Sequence, residues 1–475
     1  MRPAPALGAA AAGLAALLAL GACSFAPVYR PPAVAPAPVS YLEARGWKQA
    51  LPQDFVSRGA WWTQFGDPVL DQLEGRLAQA NQNLQAALAR LQQARAQTRI
   101  ARSSLFPTVN ASLTPTRYAQ SLNSPTYVPT HPTVIDDVTL QADTSYELDL
   151  WGRIRNQVAS ARASERASAA DLATLDLSLH AELATDYFNL RSEDAQQDIL
   201  DQTVSAYARA LALTENLYHG GAAPISDVQQ SQAQLQTART QAADLRLHRA
   251  QSEHAIAVLL GESPSRFRMP SSALPPALTP PSIDPGLPSA LLERRPDVAA
   301  AERRVQAANA NIGVARAAYF PVFDLLGAAG FESTAVSNLI SAPSWMWSVG
   351  SSVVQTLVDG GRHRAQSAQA HAAYDEQVAN YRNTVLDAYQ DVEDQIAALR
   401  ELQQESASQA LAVAATQAAL EQVQDQYRAG VVTYLQIVVS QTAALNARLA
   451  ALDIQTRRLS ASVALVKALG GGWHS

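Results

Sequence analysis

Two stretches of 66 residues, 153–218 (218 − 153 + 1) and 362–427 (427 − 362 + 1), contain neither glycine nor proline. A run that long without a breaker predicts one continuous helix, about 99 Å long at 1.5 Å per residue. In the second stretch Tyr374, Val378, Tyr381, Val385, Tyr389, Val392, Ile396 and Leu399 recur at steps of three and four. They make a single apolar stripe on a rod otherwise rich in Gln, Asp and Ala. Such a helix cannot bury its stripe alone and must pack lengthwise against others. The segments from about Ile225 to Leu260 and from Thr433 to Leu469 follow tight turns and are suited to be those partners.

The two stretches belong to an internal duplication. Gly152-Arg153-x-Arg155 returns as Gly361-Arg362-x-Arg364, and Tyr218-x-x-Gly221 as Tyr427-x-x-Gly430, both at an offset of 209 (361 − 152; 427 − 218). Phe106-Pro107 returns as Phe320-Pro321 at an offset of 214 (320 − 106), together with Gln92/Gln306, Ala94/Ala308, Ala101/Ala315 and Arg102/Arg316. The halves thus differ by five residues between Pro107 and Gly152, and each has the order helix, strand pair, long helix, sharp turn, helix.

Between the helices the pattern changes to period two. Val138, Leu140, Ala142, Thr144, Tyr146 and Leu148 alternate with Asp137, Thr139, Gln141, Asp143, Ser145 and Glu147. Trp345, Trp347, Val349, Val353 and Leu357 alternate with Met346, Ser348, Gly350, Ser352 and Thr356, and shorter alternations follow Pro107 and Pro321. Four strands of about ten residues result. In water they would form a half-buried sheet; in a bilayer, part of a barrel with a polar interior. Four strands cannot close a barrel, and lipid does not tolerate open edges, so closure in a membrane requires other subunits.

The N-terminus decides between these settings. Arg2, an Ala- and Leu-rich run to Leu20, and Leu20-Gly21-Ala22-Cys23 read as an export signal ending at the chain's one cysteine. The Leu-Gly-Ala-Cys order resembles a bacterial lipobox, which implies that Cys23 becomes the acylated first residue of the mature chain. Ser24 in the next position favours the outer membrane. No apolar run of about 18 residues follows residue 23, which excludes a helical membrane span in the mature chain. A net charge of −6, with only Lys48 and Lys467 beside the arginines, offers no basic block for nucleic acid. The histidines lack metal-binding spacing, and neither Gly-x-Ser-x-Gly nor a phosphate-cradling glycine loop is present, so the sequence shows no catalytic constellation, metal site or cofactor site.

Several ordered motifs are similar to those of a known family: Leu292-Glu293-Arg294-Arg295-Pro296-Asp297-Val298, Ala307-Ala308-Asn309-Ala310, Ile312-Gly313, Tyr146-Glu147-Leu148-Asp149-Leu150-Trp151-Gly152-Arg153, Tyr427-Arg428-Ala429-Gly430 and Leu469-Gly470-Gly471-Gly472-Trp473. Over nearly the whole mature chain the sequence resembles the TolC-like outer-membrane channels of tripartite efflux pumps, and more narrowly the NodT-type lipoproteins that work with RND pumps. The resemblance implies a mixed α+β membrane protein. It would be a homotrimer whose 12-stranded β-barrel, four strands from each chain, is continued by a periplasmic α-helical barrel with an equatorial domain. The organisation expected is a signal peptide (1–22), a lipid-anchored tether and equatorial segment (23–66), a first repeat (67–261), a Pro-rich equatorial linker (262–290), a second repeat (291–469) and a tail (470–475). Its partners would be a periplasmic adaptor, an inner-membrane RND pump and outer-membrane lipid.

The same resemblance assigns roles to particular residues. Gly221, Gly430, Tyr218 and Tyr427 would form the tip turns that meet the adaptor, with the glycines as left-handed caps. Relatives narrow the tip with acidic side chains just after these turns. Asp227 matches in the first half, but Gln436 and Val439 stand at the corresponding places in the second, so a polar or apolar ring would narrow this pore. Val432 stands where some relatives carry the Arg of an ionic latch. Trp345 and Trp347 are expected at the membrane interface. A type I secretion duct shares the fold, and a lipid-anchored coiled-coil scaffold without a pore is the alternative from another class.

Overall fold

The computed structural model describes residues 24–34, 59–125, 128, 133–275, 278–281 and 294–471. Cys23 and the signal segment lie outside the described residues. In order, the main elements are α1 (Pro68–Ala80), α2 (Gln82–Ser103), β1 (Thr108–Ala119), β2 (Val134–Glu147), α3 (Arg153–His219), α4 (Ile225–Leu259), α5 (Pro296–Ala317), β3 (Val322–Ser333), β4 (Trp345–Val354), α6 (Arg362–Arg428) and α7 (Tyr434–Ala468). The chain divides into two compact units, one drawn from 1–33, 90–168 and 300–381, the other from 34–89, 169–299 and 382–475. Among the described residues no helix is long and apolar enough to cross a membrane.

The first unit holds one antiparallel sheet in the order β1-β2-β3-β4. Its register carries the period-two pattern across all four strands. Leu113 pairs with Leu140, Leu140 with Phe331, and Phe331 with Trp345; two residues along, Ala111, Ala142, Ala329 and Trp347 stand in line. One face is therefore apolar from edge to edge, while Ser112, Gln141, Asp143 and Glu332 belong to the other. The alternation in sequence runs on to Leu357, but the ladder ends at Val354, opposite Val322, because β3 has no further residue to pair.

Where the sheet gives way to helix, side-chain carboxylates cap the chain. Asp149 accepts from the backbone N–H groups of Ile154 (3.1 Å) and Arg155 (2.8 Å), which the first turn of α3 would otherwise leave unpaired. Glu147 and Arg153 pair alongside it. In the second half Asp359 accepts from the N–H groups of Gly361 (2.9 Å) and His363 (2.8 Å). Trp151 donates its indole N–H to the Pro321 carbonyl at 2.7 Å and stacks on Phe320, which stacks in turn on Phe25 with centroids 4.5 Å apart. Residues 24–34 lie as a strap along α5: Asn309 donates to the Pro27 carbonyl (2.9 Å), and Tyr29 donates to Glu302 Oε1 (3.1 Å). Gly313 makes this seat, because a Cβ there would fall 2.7 Å from Ala26 Cβ and 2.5 Å from Asn156 Nδ2.

The second unit contains the main hydrophobic core. Leu70, Leu73 and Leu77 of α1 pack with Leu183, Phe188 and Leu190 of α3, Ile256 and Leu259 of α4, and Leu459 and Val463 of α7. Where one helix is expected before the first strand pair, the structure has two. Asn81 takes an extended ψ of 123°, and its Oδ1 accepts from Asn83 N (2.8 Å) and Leu84 N (3.0 Å), starting α2 afresh. The Arg-Arg-Pro-Asp run is a clamp. Arg295 grips Asp297 with two nitrogens (3.1 and 2.7 Å), reaches Asp391 (2.9 Å), and donates to the carbonyl of Ala468 at the end of α7 (3.3 Å). Buried Asp194 pins the start of the Pro-rich link by accepting from Arg249 (2.7 Å), Ser271 (2.9 Å) and Ser272 N (2.9 Å).

Within the core, the fully buried Glu74 is hydrogen-bonded to His180, which also faces Asp176 at 3.6 Å and carries the Trp62 ring stacked on it. Burial pushes Glu74 up to about 7 against the opposing hydrogen bond and charge of His180. For His180 burial acts downward, but the hydrogen bonds to Asp176 and Glu74 outweigh it and leave the group raised to about 9. Both folded values exceed the ordinary ones of 4.5 and 6.5, so the folded state binds more protons than the unfolded state between about pH 5 and pH 9. The stability this pair contributes therefore falls as pH rises through that window. Thermal melts of Glu74→Gln should give a midpoint that gains on the wild type from pH 5 to pH 9; a constant difference would contradict the assignment.

Candidate functional site

The two tip turns repeat each other bond for bond. In the first, Gly221 N donates to the Tyr218 carbonyl (2.9 Å) and Ala222 N to that of Leu217 (2.8 Å). In the second, Gly430 N donates to Tyr427 (2.9 Å) and Val431 N to Gln426 (2.9 Å), each 209 residues on. This paired closure is the Schellman ending of a helix, and it requires a left-handed residue at the position of Gly221 (φ 75°) and Gly430 (φ 72°). Nothing lies within 4 Å of a Cβ built on either glycine, so the backbone conformation, not close packing, demands glycine here. Pro224 and Thr433 then lead extended into α4 and α7.

The side chains at the turns have diverged. Tyr218 is 41% exposed, with its ring near that of His219. Tyr427 turns inward, edge-on to Tyr434 with centroids 5.7 Å apart, and its buried hydroxyl has no hydrogen-bond partner. Burial pushes the Tyr427 phenol up, and the nearby Asp227 carboxylate adds to the shift. Tyr434, 1% exposed, donates to Ser231 Oγ at 2.9 Å, and Gln234 donates to Thr442 Oγ1 at 3.0 Å, so α7 is tied to α4 just past the turns.

Asp227 sits half-buried in the first turn of α4, where a carboxylate is favoured by the unpaired N–H groups. The equivalent position in α7, 209 residues on, is the exposed Gln436, and the first turn of α7 holds no acidic residue. Val439 is 61% exposed. The structure adds Leu435, which the sequence reading passes over. Val431, Leu435 and Val439 follow one another at four-residue steps and are all exposed, forming an apolar row along α7. That spacing is readable in the sequence once the helix start is fixed at Tyr434. Trp345 and Trp347 are both exposed on the apolar face of the sheet, Trp345 edge-on to Phe331 at 5.4 Å. Among the described residues no cluster of three or more His, Cys, Asp or Glu could hold a metal ion.

An exposed apolar sheet face joined to long paired helices defines the class of outer-membrane channels. The profile of the outer membrane efflux protein family matches residues 73–262 and 287–471, and the chain belongs to that family. It is 33% identical over 470 residues to outer membrane protein OprJ of Pseudomonas aeruginosa, covering 99% of this chain and 96% of that protein. It is 32% identical over 478 residues to the toluene efflux pump outer membrane protein TtgF of Pseudomonas putida, covering 97% and 96%. Among solved structures, the outer-membrane channel OprN superposes with a TM-score of 0.84 at 31% identity, covering 95% of this chain and 100% of that one. The open state of the Neisseria gonorrhoeae MtrE outer membrane channel gives 0.79 at 26%, covering 95% and 98%. The protein is an outer-membrane efflux component.

The left-handed turn glycines give a direct test. Gly430→Ala should cost about 1–2 kcal/mol locally from the φ of +72°. Amide hydrogen exchange at the start of α7 would accelerate accordingly. Gly220→Ala, whose φ is not positive, should stay within about 0.5 kcal/mol of the parent. Equal protection in both variants would contradict the αL assignment.

Proposed function

We propose that three copies of this chain pool their sheets into one 12-stranded barrel and act as the passive exit duct of an RND-type tripartite efflux pump. The observation that carries this reading is the sheet itself. Its apolar face is exposed, with Val109 at 69%, Leu113 at 62%, Trp347 at 70% and Val349 at 80%, and β1 and β4 each leave one edge unpaired among the described residues. Lipid satisfies such a face, and only closure satisfies the edges. On this reading Trp345 and Trp347 sit at the membrane interface. Energy comes from the pump, and no bond is made or broken in the duct.

The exposed turns around Gly221 and Gly430, with Tyr218 and Tyr427 beside them, are proposed as the docking points for a periplasmic adaptor. Cys23 is proposed as the acylated residue. Its support is the position of its neighbours: Ser24 donates to Asn156 (3.0 Å), and Phe25 stacks on Phe320, directly before β3, so an acyl chain on residue 23 would start beside the sheet. The aperture is proposed to be narrowed in the second half by Leu435, Gln436 and Val439 rather than by carboxylates, and Asp227 would be the acid left near it.

Purified full-length protein should run as a stable trimer and give discrete conductance steps in planar bilayers. A monomer without pore activity would defeat the reading. In the same bilayers Val439→Asp should raise cation-over-anion permeability by about twofold or more, because three carboxylates would then face the narrowing. An unchanged ratio would remove Val439 from the aperture while leaving the duct itself standing.

A further inference from the structure

Just behind the second tip turn, α3, α6 and α7 enclose a cleft of about 350 Å³, within the size range of small-molecule sites. Its room comes from Ala206 and Ala210, one turn apart on α3, where larger residues would fill the gap. Tyr427, Tyr434, Leu213 and Ile437 give it aromatic and aliphatic walls. The hydroxyl of Tyr434 is occupied by Ser231, which holds that ring in place as a wall.

Two polar groups in this lining are left without partners. Gln441 is 7% exposed and its Oε1 makes no hydrogen bond; the Tyr427 hydroxyl is likewise buried and unpartnered. A buried amide oxygen without a donor is costly, so the pair marks places where a ligand's hydrogen bonds are missing. The charge in the lining is of one sign. Arg209 and Arg428 contribute to it and no carboxylate does. Arg428 shares its charge with exposed Asp425 at 2.9 Å, whereas Arg209 makes no ion pair among the described residues. Asp227 influences the Tyr427 phenol but does not line the cleft. A second cavity of about 210 Å³ shares Ala206, Gln424 and Gln441 with the first, so Gln441 stands where the two meet.

We propose that this cleft binds a small aromatic anion, an arylsulfonate or aryl carboxylate, that carries a hydrogen-bond donor. The ring would lie against Tyr427 and Tyr434, the anionic group would meet the Arg209 guanidinium, and the donor would satisfy Gln441 Oε1. The inference concerns occupancy of the cleft and does not rest on conductance through the trimer.

The test is a fluorescence titration of the purified full-length protein with 5-aminonaphthalene-1-sulfonate. The controls are 5-dimethylaminonaphthalene-1-sulfonate, which lacks the N–H donor, and naphthylamine, which lacks the anion. The aminosulfonate should bind saturably and more tightly than either control. Arg209→Ala should weaken it by about tenfold or more, and Gln441→Leu should abolish the preference for the amino over the dimethylamino compound. Ala210→Trp should block binding by filling the cleft. Conductance steps measured on each variant show whether it has folded, which separates failure of the site from failure of the pore reading. Absence of saturable binding, or affinities unchanged by Arg209→Ala and Ala210→Trp, would overturn the proposal.

Discussion

The four-stranded sheet imposes the constraint from which the rest follows. Its register lines up Leu113, Leu140, Phe331 and Trp345 on one face, and Ser112, Gln141, Asp143 and Glu332 belong to the other. An antiparallel sheet in water covers its apolar face with helices or a second sheet. Here the apolar face stays open, with Val349 at 80% and Trp347 at 70% exposure. The surroundings must supply the cover, and a hydrocarbon phase is the environment that does so without a further layer of protein.

A sheet entered and left by long helices needs its polar backbone groups satisfied at each change of structure. The chain uses two devices, each twice. Asp149 and Asp359 accept from the first N–H groups of the helices that leave the sheet, and Gly221 and Gly430 close the same helices in Schellman turns. Both devices are local and depend on one residue at one position, which is why they survive duplication while the residues around them change. Arg295 performs a different task. It joins the start of α5 to Asp391 of α6 and to the last carbonyls of α7, so a single guanidinium holds three helices in fixed order.

Much of this was legible in the sequence, because it depends on period and punctuation. The two stretches without Gly or Pro are the helices α3 and α6, and the alternation after Val138 gives the face of every residue in β2. What escaped depends on contacts between distant residues. Asn81 interrupts a helical pattern that no proline marks, and it does so by capping α2 with its Oδ1 while donating to the Leu259 carbonyl, 178 residues away. Glu74 lies within the apolar face of α1, where only its meeting with His180, 106 residues on, explains a buried carboxylate. Leu435 escaped because its row with Val431 and Val439 begins only where α7 is known to start.

The divergence between the halves shows where duplication was free to specialise. Across the offset of 209, the turn backbones are unchanged, but Asp227 faces Gln436 and Ile225 becomes Tyr434. Tyr434 is the residue that changes the packing: its hydroxyl reaches Ser231 on α4 and its ring draws Tyr427 inward, whereas Tyr218, with no such neighbour, stays at the surface. Losing the carboxylate and gaining the ring act together. The first turn of α7 gives up an anion that its unpaired N–H groups would favour, and the helix is held instead by a buried aromatic and by the α4 contact. The exposed row that remains is apolar, so a narrowing built on it would exclude water and ions by dewetting and not by charge. Selectivity at such a narrowing would rest on width and wetting, properties that the packing of Tyr427 against Tyr434 controls directly.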